Sequence, residues 1–325
     1  MQFRFLAYIA GRILQAVPLL LVVIVITFLL VHSAPGDPID ILAGNMETTP
    51  EYRAQLRAEF GLDQPLALQL VTYIGKVFTL DLGFSLRYRQ DVFELIMSRL
   101  PATMLLMGTA LVLSSIFGII LGAIAARRPY SLTDNAATFA ALAGYSMPVF
   151  WLGQLVLLLF ALQLGWFPSQ GMMSLRTPSA GWGRVLDIGH HLVLPALTYS
   201  VYNLTLIFRL TRSRMQETLA EDYIITARAK GVPENSVVYR HALSNALLPV
   251  VTVIGLNFGF MLAGSVLTET VFAWPGLGRL MYEAIMARDY PILMGLFIFI
   301  SFLVIVANVV TDIVYALIDP RVVYR

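Results

Sequence analysis

The chain has 325 residues, a formal net charge of +2, and 58% hydrophobic residues against 13% charged. A soluble domain carries roughly 25% charged residues, so the composition excludes an ordinary soluble enzyme, and its hydrophobicity excludes a disordered chain. The charge is too small to argue for nucleic acid. With no cysteine there is no disulfide, zinc–thiolate site or cysteine-ligated cluster. The 4 histidines form no close group with acids, so no metal site is suggested.

A membrane-spanning helix needs about 20 apolar residues. Six runs free of Asp, Glu, Lys and Arg qualify, at 13–31, 102–126, 136–164, 192–208, 247–268 and 292–311. Every backbone amide in a bilayer must be satisfied internally, so each reads as a helix. The first run, flanked by Arg4 and Arg12, is too long for a signal peptide and Ser33-Ala34-Pro35-Gly36 is a poor cleavage site, so a retained helix is expected. The third is longer than a crossing needs, and the fourth is short unless it continues past Arg209.

The segment 32–100 is expected to be a folded outside piece. Pro50 opens a helix signal after Thr49, Gly61 closes it, and Leu70, Val71, Ile74, Val77 and Phe78 share a face of a second helix. That helix is read as lying on the outer membrane face or against the bundle, with a direct substrate role as the other reading. The loop at 165–191 is rich in Gly, Pro and Ser and shows no periodicity.

With the N-terminus inside, Arg4, Arg12, Arg127, Arg128, Arg209, Arg212, Arg214, Arg228, Lys230, Arg240, Arg321 and Arg325 are cytoplasmic. The short outer loops hold only Arg176, Arg184, Arg279 and Arg288. This bias places both termini in the cytoplasm. It divides the chain into an N-terminal transmembrane helix 1–31, an external segment 32–97, a membrane domain 98–316 and a cytoplasmic tail 317–325.

Ionisable groups inside spans mark ion-coupled carriers, and here Glu269 and Asp312 stand only at the ends of spans. Each is read as a helix-end anchor or as a gate or relay. His190-His191 lacks the i, i+4 spacing of a metal pair, and His32 is isolated. Catalysis is not expected. No Gly-x-x-x-x-Gly-Lys-Ser/Thr loop is present, so ATP-driven work would need another subunit to bind the nucleotide. Asn203, Thr205, Asn257 and Asn308 lie within spans, as path lining or as interhelical hydrogen bonds.

The cytoplasmic loop between the fourth and fifth runs places Met215, Leu219, Tyr223 and Ala227 at i+4 steps. Gly231 suits a C′ position and Pro233 begins a second helix. Ala227 and Ala229 make a small-residue surface that lets a partner approach. After the fifth run, Trp274-Pro275-Gly276-Leu277-Gly278 breaks the helix. It is read as a gate or binding-protein contact, or as an interfacial Trp anchor in a tight turn.

The loop resembles the "EAA" loop of ABC importer permeases, in the B-type branch of dipeptide/oligopeptide permeases. Carrying the likeness are Glu221-Asp222-Tyr223, Thr226-Ala227-Arg228-Ala229-Lys230-Gly231, His241-Ala242-Leu243, Asn245-Ala246 and Leu248-Pro249. Further matches are Pro35-Gly36-Asp37-Pro38, Gly144-Tyr145-Ser146-Met147-Pro148, the stretch from Phe272 to Arg279, and Arg288-Asp289-Tyr290-Pro291. Where most such permeases have Glu-Ala-Ala, this chain has Ile225, Thr226 and Ala227; where they have Leu-Pro after the Gly, it has Leu243-Ser244.

The resemblance implies an all-α membrane protein with the type I ABC importer permease fold, six transmembrane helices and both termini cytoplasmic. It implies half of a path for di- or oligopeptides in the bacterial inner membrane, and no enzyme activity of its own. Nickel, glutathione or oligosaccharide is the cargo in other members, and a self-contained channel or ion-coupled carrier is the reading from a different class. The implied partners are a second homologous permease, two ATPases carrying ATP and Mg, an external substrate-binding protein and membrane lipid. Glu221, Asp222, Tyr223, Thr226, Ala227, Arg228, Ala229, Lys230 and Gly231 would meet the ATPase, with Ala227 and Gly231 allowing close packing and Arg228 and Lys230 pairing with acids. Trp274, Pro275, Gly276 and Gly278 would form the gate or binding-protein contact, and Asn203, Asn257 and Asn308 would line the path.

Overall fold

The computed structural model describes residues 2–33, 49–59, 63–174, 180–262 and 265–318. Pro35-Gly36-Asp37-Pro38, the expected stop at Gly61, Arg176, Arg321 and Arg325 lie outside the described residues. Helices dominate. In chain order they are α1 (Gln2–His32), α2 (Pro50–Glu59), α3 (Leu66–Phe78), α4 (Val92–Arg127), α5 (Leu132–Ser146), α6 (Val149–Val156), α7 (Trp182–Leu219), α8 (Asp222–Ala229), α9 (Glu234–Ser236), α10 (Leu243–Leu262), α11 (Val266–Val271), α12 (Leu277–Ala287) and α13 (Tyr290–Ile318). Two π-helical stretches, Leu157–Gln163 and Val237–Ala242, continue α6 and join α9 to α10. A short hairpin pairs β1 (Phe84–Ser85) with β2 (Gln90–Asp91), Phe84 opposite Asp91.

Among the described residues, five helical stretches are long and apolar enough to cross a membrane, and the α5–α6 pair makes six if it is one crossing. This agrees with the six runs, with two differences. The third run is not straight: it bends by 102° at Met147–Pro148. Pro148 lacks an N–H and pushes Met147 into extended backbone (φ −82, ψ 132). The fifth stretch begins at Glu234, because the π-turn carries the helix from α9 into α10.

The chain forms two compact units. One joins residues up to Pro101 with those from Gly276 on; the other is Ala102–Pro275. These lines differ from the divisions expected at 31/32, 97/98 and 316/317.

In the first unit, α1 packs along α13, and Ile24, Leu95, Ile96, Leu280, Ile292 and Leu296 form its core. A side chain at Gly295 would meet Val92 Cγ1 at 2.5 Å, so α13 and the start of α4 touch backbone to side chain. The face expected on α3 is divided. Tyr73, Ile74 and Val77 pack inward, while Val71 and Phe78 stand exposed. The hairpin is fastened to the Arg288-Asp289-Tyr290-Pro291 stretch. Ser85 Oγ donates to Asp289 Oδ2 at 2.7 Å, and Ile292 N donates to Asp289 Oδ1 at the start of α13. Tyr88 Oη donates to Glu283 Oε2 (2.7 Å), whose other oxygen accepts from Arg279 Nε (2.8 Å).

In the second unit, α4 meets α7 through Gly118 and Gly122. A Cβ there would fall 2.8 Å from Ile207 Cγ2 and 2.7 Å from Thr211 Cβ. The Gly-x-x-x-Gly spacing puts both on one helix face and lets the backbones approach. Helix α5 lies against α7: Thr205 Oγ1 donates to the Ala141 carbonyl (2.8 Å), and Arg212 grips Asp134 with two bonds of 2.6 and 2.7 Å. Asp134 is buried, so this fork is its main compensation.

Candidate functional site

The loop after the fourth stretch folds into a seated helix. Helix α7 continues to Leu219, and Glu221 turns extended (φ −72, ψ 147) before α8 begins. The expected continuous helix from Met215 to Ala227 is thus broken at Ala220–Glu221. The break rotates the register. Met215, Leu219 and Ala227 still pack together, but Ile224, not Tyr223, becomes the buried anchor. Ile224 sits among Ala123, Met215, Val237, Val238 and Ala246.

The end of α8 is a Schellman motif. Gly231 N donates to the Arg228 carbonyl (3.0 Å) and Val232 N to the Ala227 carbonyl (3.2 Å). Gly231 takes φ +76, which only glycine adopts freely. Arg228 makes a bidentate pair with Glu234 at 3.2 and 2.8 Å across the turn. Asn245 Nδ2 donates to Tyr223 Oη at 2.9 Å, tying α8 to α10.

Helix α8 therefore has a fixed inner face and an open outer face. Glu221, Asp222, Tyr223, Thr226, Arg228, Ala229, Lys230 and Gly231 are all exposed, with Ile225 at 56%. Two expectations change. Ala227 is half-buried and packs in part against the inner cluster rather than lying wholly on the open face. Arg228 already pairs with an acid of its own chain, Glu234.

The Trp274 turn is interior. Trp274 is fully buried, and its Nε1 donates to the Ala102 carbonyl at 2.8 Å. Its backbone N donates to the Glu269 carbonyl (2.8 Å). Gly276 and Gly278 are buried and Pro275 is half-buried. Trp274, Gly276 and Gly278 are consequently not surface contacts for a binding protein, nor is Trp274 an interfacial anchor. Glu269, expected at a helix end near water, is also fully buried, and Thr103 Oγ1 donates to its Oε1 at 2.9 Å. Asp312's side chain lies outside what is described.

Asn203 and Asn257 belong to the second unit and Asn308 to the first. Asn203 is buried; the other two are half-buried. His190 Nε2 lies 2.9 Å from the Trp166 carbonyl and His191 Nδ1 2.9 Å from the Asp187 carbonyl, so both rings are engaged structurally.

Sequence reasoning missed a tyrosine pair. Tyr145 and Tyr202 stack with centroids 4.9 Å apart and planes 20° from parallel. They flank the bend at Met147–Pro148. A proline in the middle of an apolar run was the available signal. Just beyond, Leu152, Val156, Phe160, Leu194, Leu197 and Val201 line an apolar cavity of about 140 Å³.

Known proteins resemble this chain along its whole length. The family model described as "Binding-protein-dependent transport system inner membrane component" matches residues 118–324. The N-terminal model of binding-protein-dependent transport system membrane components matches residues 3–107. The di/tripeptide transport system permease protein DppB of Pseudomonas aeruginosa is 41% identical, over 98% of both chains. The oligopeptide transport system permease protein AppB of Bacillus subtilis is 39% identical over 98% of this chain and 99% of its own. The dipeptide transport system permease protein DppB of Escherichia coli K12 is 40% identical with the same coverage.

Proposed function

This chain belongs to the family of binding-protein-dependent transport system inner membrane components, and we propose that it is one of two permeases forming the path of an ATP-driven importer of di- or oligopeptides. It is a multi-pass inner-membrane protein, and its similar relatives are named as peptide transport permeases. Both termini lie in the cytoplasm. The chain binds no nucleotide: ATP and Mg sit on two separate ATPases, and an external binding protein delivers the cargo. The names of the relatives favour peptides over nickel, glutathione or oligosaccharide.

The observation that carries this reading is α8, held rigidly from beneath and open above. A helix anchored by Ile224, a Schellman turn and the Tyr223–Asn245 bond transmits force without deforming. Closure of the ATPases on ATP would displace α8 and bias the membrane helices between two access states. The outer surface of α8, with Ile225, Thr226, Ala229 and Lys230, is the docking face.

The test is purification of the tagged chain from its own membranes, followed by reconstitution. Two ATPases, a second permease and peptide-stimulated ATP hydrolysis are expected. Ala229→Trp, which adds bulk to the exposed face alone, should reduce stimulated hydrolysis at least tenfold while the chain still inserts. Recovery of the chain alone under gentle extraction, with uptake driven by an ion gradient, would replace the importer with a self-contained carrier.

A further inference from the structure

The geometry points to the bend between α5 and α6, with Tyr145 and Tyr202 beside it, as a place where the peptide touches this chain during passage. This rests on the permease reading and names the surface the cargo meets.

A helix end leaves backbone groups without intrahelical partners. In hydrocarbon each costs several kcal/mol, so a broken helix at membrane depth survives only when buried in protein or beside water. The bend at Met147–Pro148 is a break of this kind, turning the chain by 102°. Among the described residues it stands open, since Tyr145, Ser146, Met147 and Pro148 are all exposed. Its depth follows from the charged pair at the other end of α5. The twelve helical steps from Asp134 to Ser146 rise about 18 Å at 1.5 Å per residue. A hydrocarbon core is about 30 Å thick, so the bend lies within it.

The tyrosines supply the second observation. They come from different helices, stack on each other, and stand 45% and 47% exposed. Their placement is fixed from behind, because a Cβ at Gly144 would fall 2.6 Å from Val201 Cγ1. Two rigid phenols and an unwound strand of backbone therefore face outward at a level where the rest of the run is apolar. Hydroxyls and carbonyls match the amide groups of a peptide, and the ring faces accept apolar side chains of any shape. The surface carries no charge, so it contacts peptides without choosing among them.

The chain has no cysteine, which makes the test direct. Tyr145→Cys, Met147→Cys and Tyr202→Cys are made singly in the complete importer and reconstituted into vesicles. A charged methanethiosulfonate, which reacts in water and not in hydrocarbon, is the probe. Gln170→Cys, in the exposed loop after α6, reports that the reagent works. The expected result is modification at 145 and 147, slowed about tenfold by trialanine at about ten times its half-saturating concentration, as simple occupancy requires. Uptake should fall once the thiols are modified.

Silence at all three positions while Gln170→Cys reacts would place the bend against lipid or the second permease and overturn the inference. So would modification that trialanine does not slow and uptake does not register. Trialanine uptake by the parent chain in the same vesicles tests the permease reading by itself. Lost labelling with intact uptake thus removes the bend from the path and leaves the permease standing.

Discussion

The indole of Trp274 joins two segments that sequence keeps far apart, by packing beside Leu106 and Met261 and donating to the Ala102 carbonyl. Trp274→Ala should cost about 3–5 kcal/mol, the range for buried large aromatics. It should lower the thermal unfolding midpoint of the solubilised chain far more than Trp274→Phe does. Gly122 is a test of the opposite kind. Gly122→Leu would force α4 and α7 apart at Thr211, at about 1–3 kcal/mol for overpacking. The expected readout is loss of the monodisperse peak in size-exclusion chromatography. The Trp-Pro-Gly turn was legible from composition, but the burial of its Trp was not. Burial depends on α4 arriving from elsewhere, and no local pattern reports that.

At the scale of elements, the α8 turn is held by backbone strain relief and by charge. Gly231→Ala keeps the size nearly unchanged yet meets the left-handed penalty of roughly 1–2 kcal/mol. It should weaken peptide-stimulated ATP hydrolysis, and Gly231→Asn should weaken it less. Arg228→Glu places two acids across the turn and should lower coupling. If the pair with Glu234 is what matters, Arg228→Glu combined with Glu234→Arg should restore it. The hairpin bond of Tyr88 to Glu283 makes a pH prediction. Burial alone would raise the Glu283 carboxyl, but the bonds from Tyr88 and Arg279 outweigh it and hold it below the usual range. A depressed carboxylate stabilises the fold above its ordinary value of about 4.3 and loses that contribution as pH falls through its lower folded value. Melting of the chain between pH 7 and pH 3 should show this acid loss, and Tyr88→Phe should diminish it. The sequence made the Gly231 stop visible because glycine chemistry is local. It hid the break at Ala220–Glu221, where no proline or glycine stands.

For the whole molecule, the apolar runs were the most legible feature. The bilayer imposes a length on every crossing, and length is written in sequence. The loop likeness was also legible and agrees with the matching family. The grouping of residues beyond Gly276 with the N-terminal part was not, because it depends on α1 and α13 pairing across nearly the full chain. The tyrosine stack was hidden for the same reason: each ring lies on its own helix, and only packing aligns them.

Arg228 is neutralised by Glu234 inside its own turn, with both side chains a little under half exposed, and such surface pairs contribute about 0–1 kcal/mol. The docking proposed on α8 would accordingly rely on the shape and apolar surface of Ile225 and Ala229 more than on long-range attraction. At 1 M salt the screening length shrinks to about 3 Å, which leaves that seat in place. Membranes rinsed in molar sodium chloride should keep their peripheral ATPases, whereas urea, which solvates apolar and peptide groups alike, should strip them.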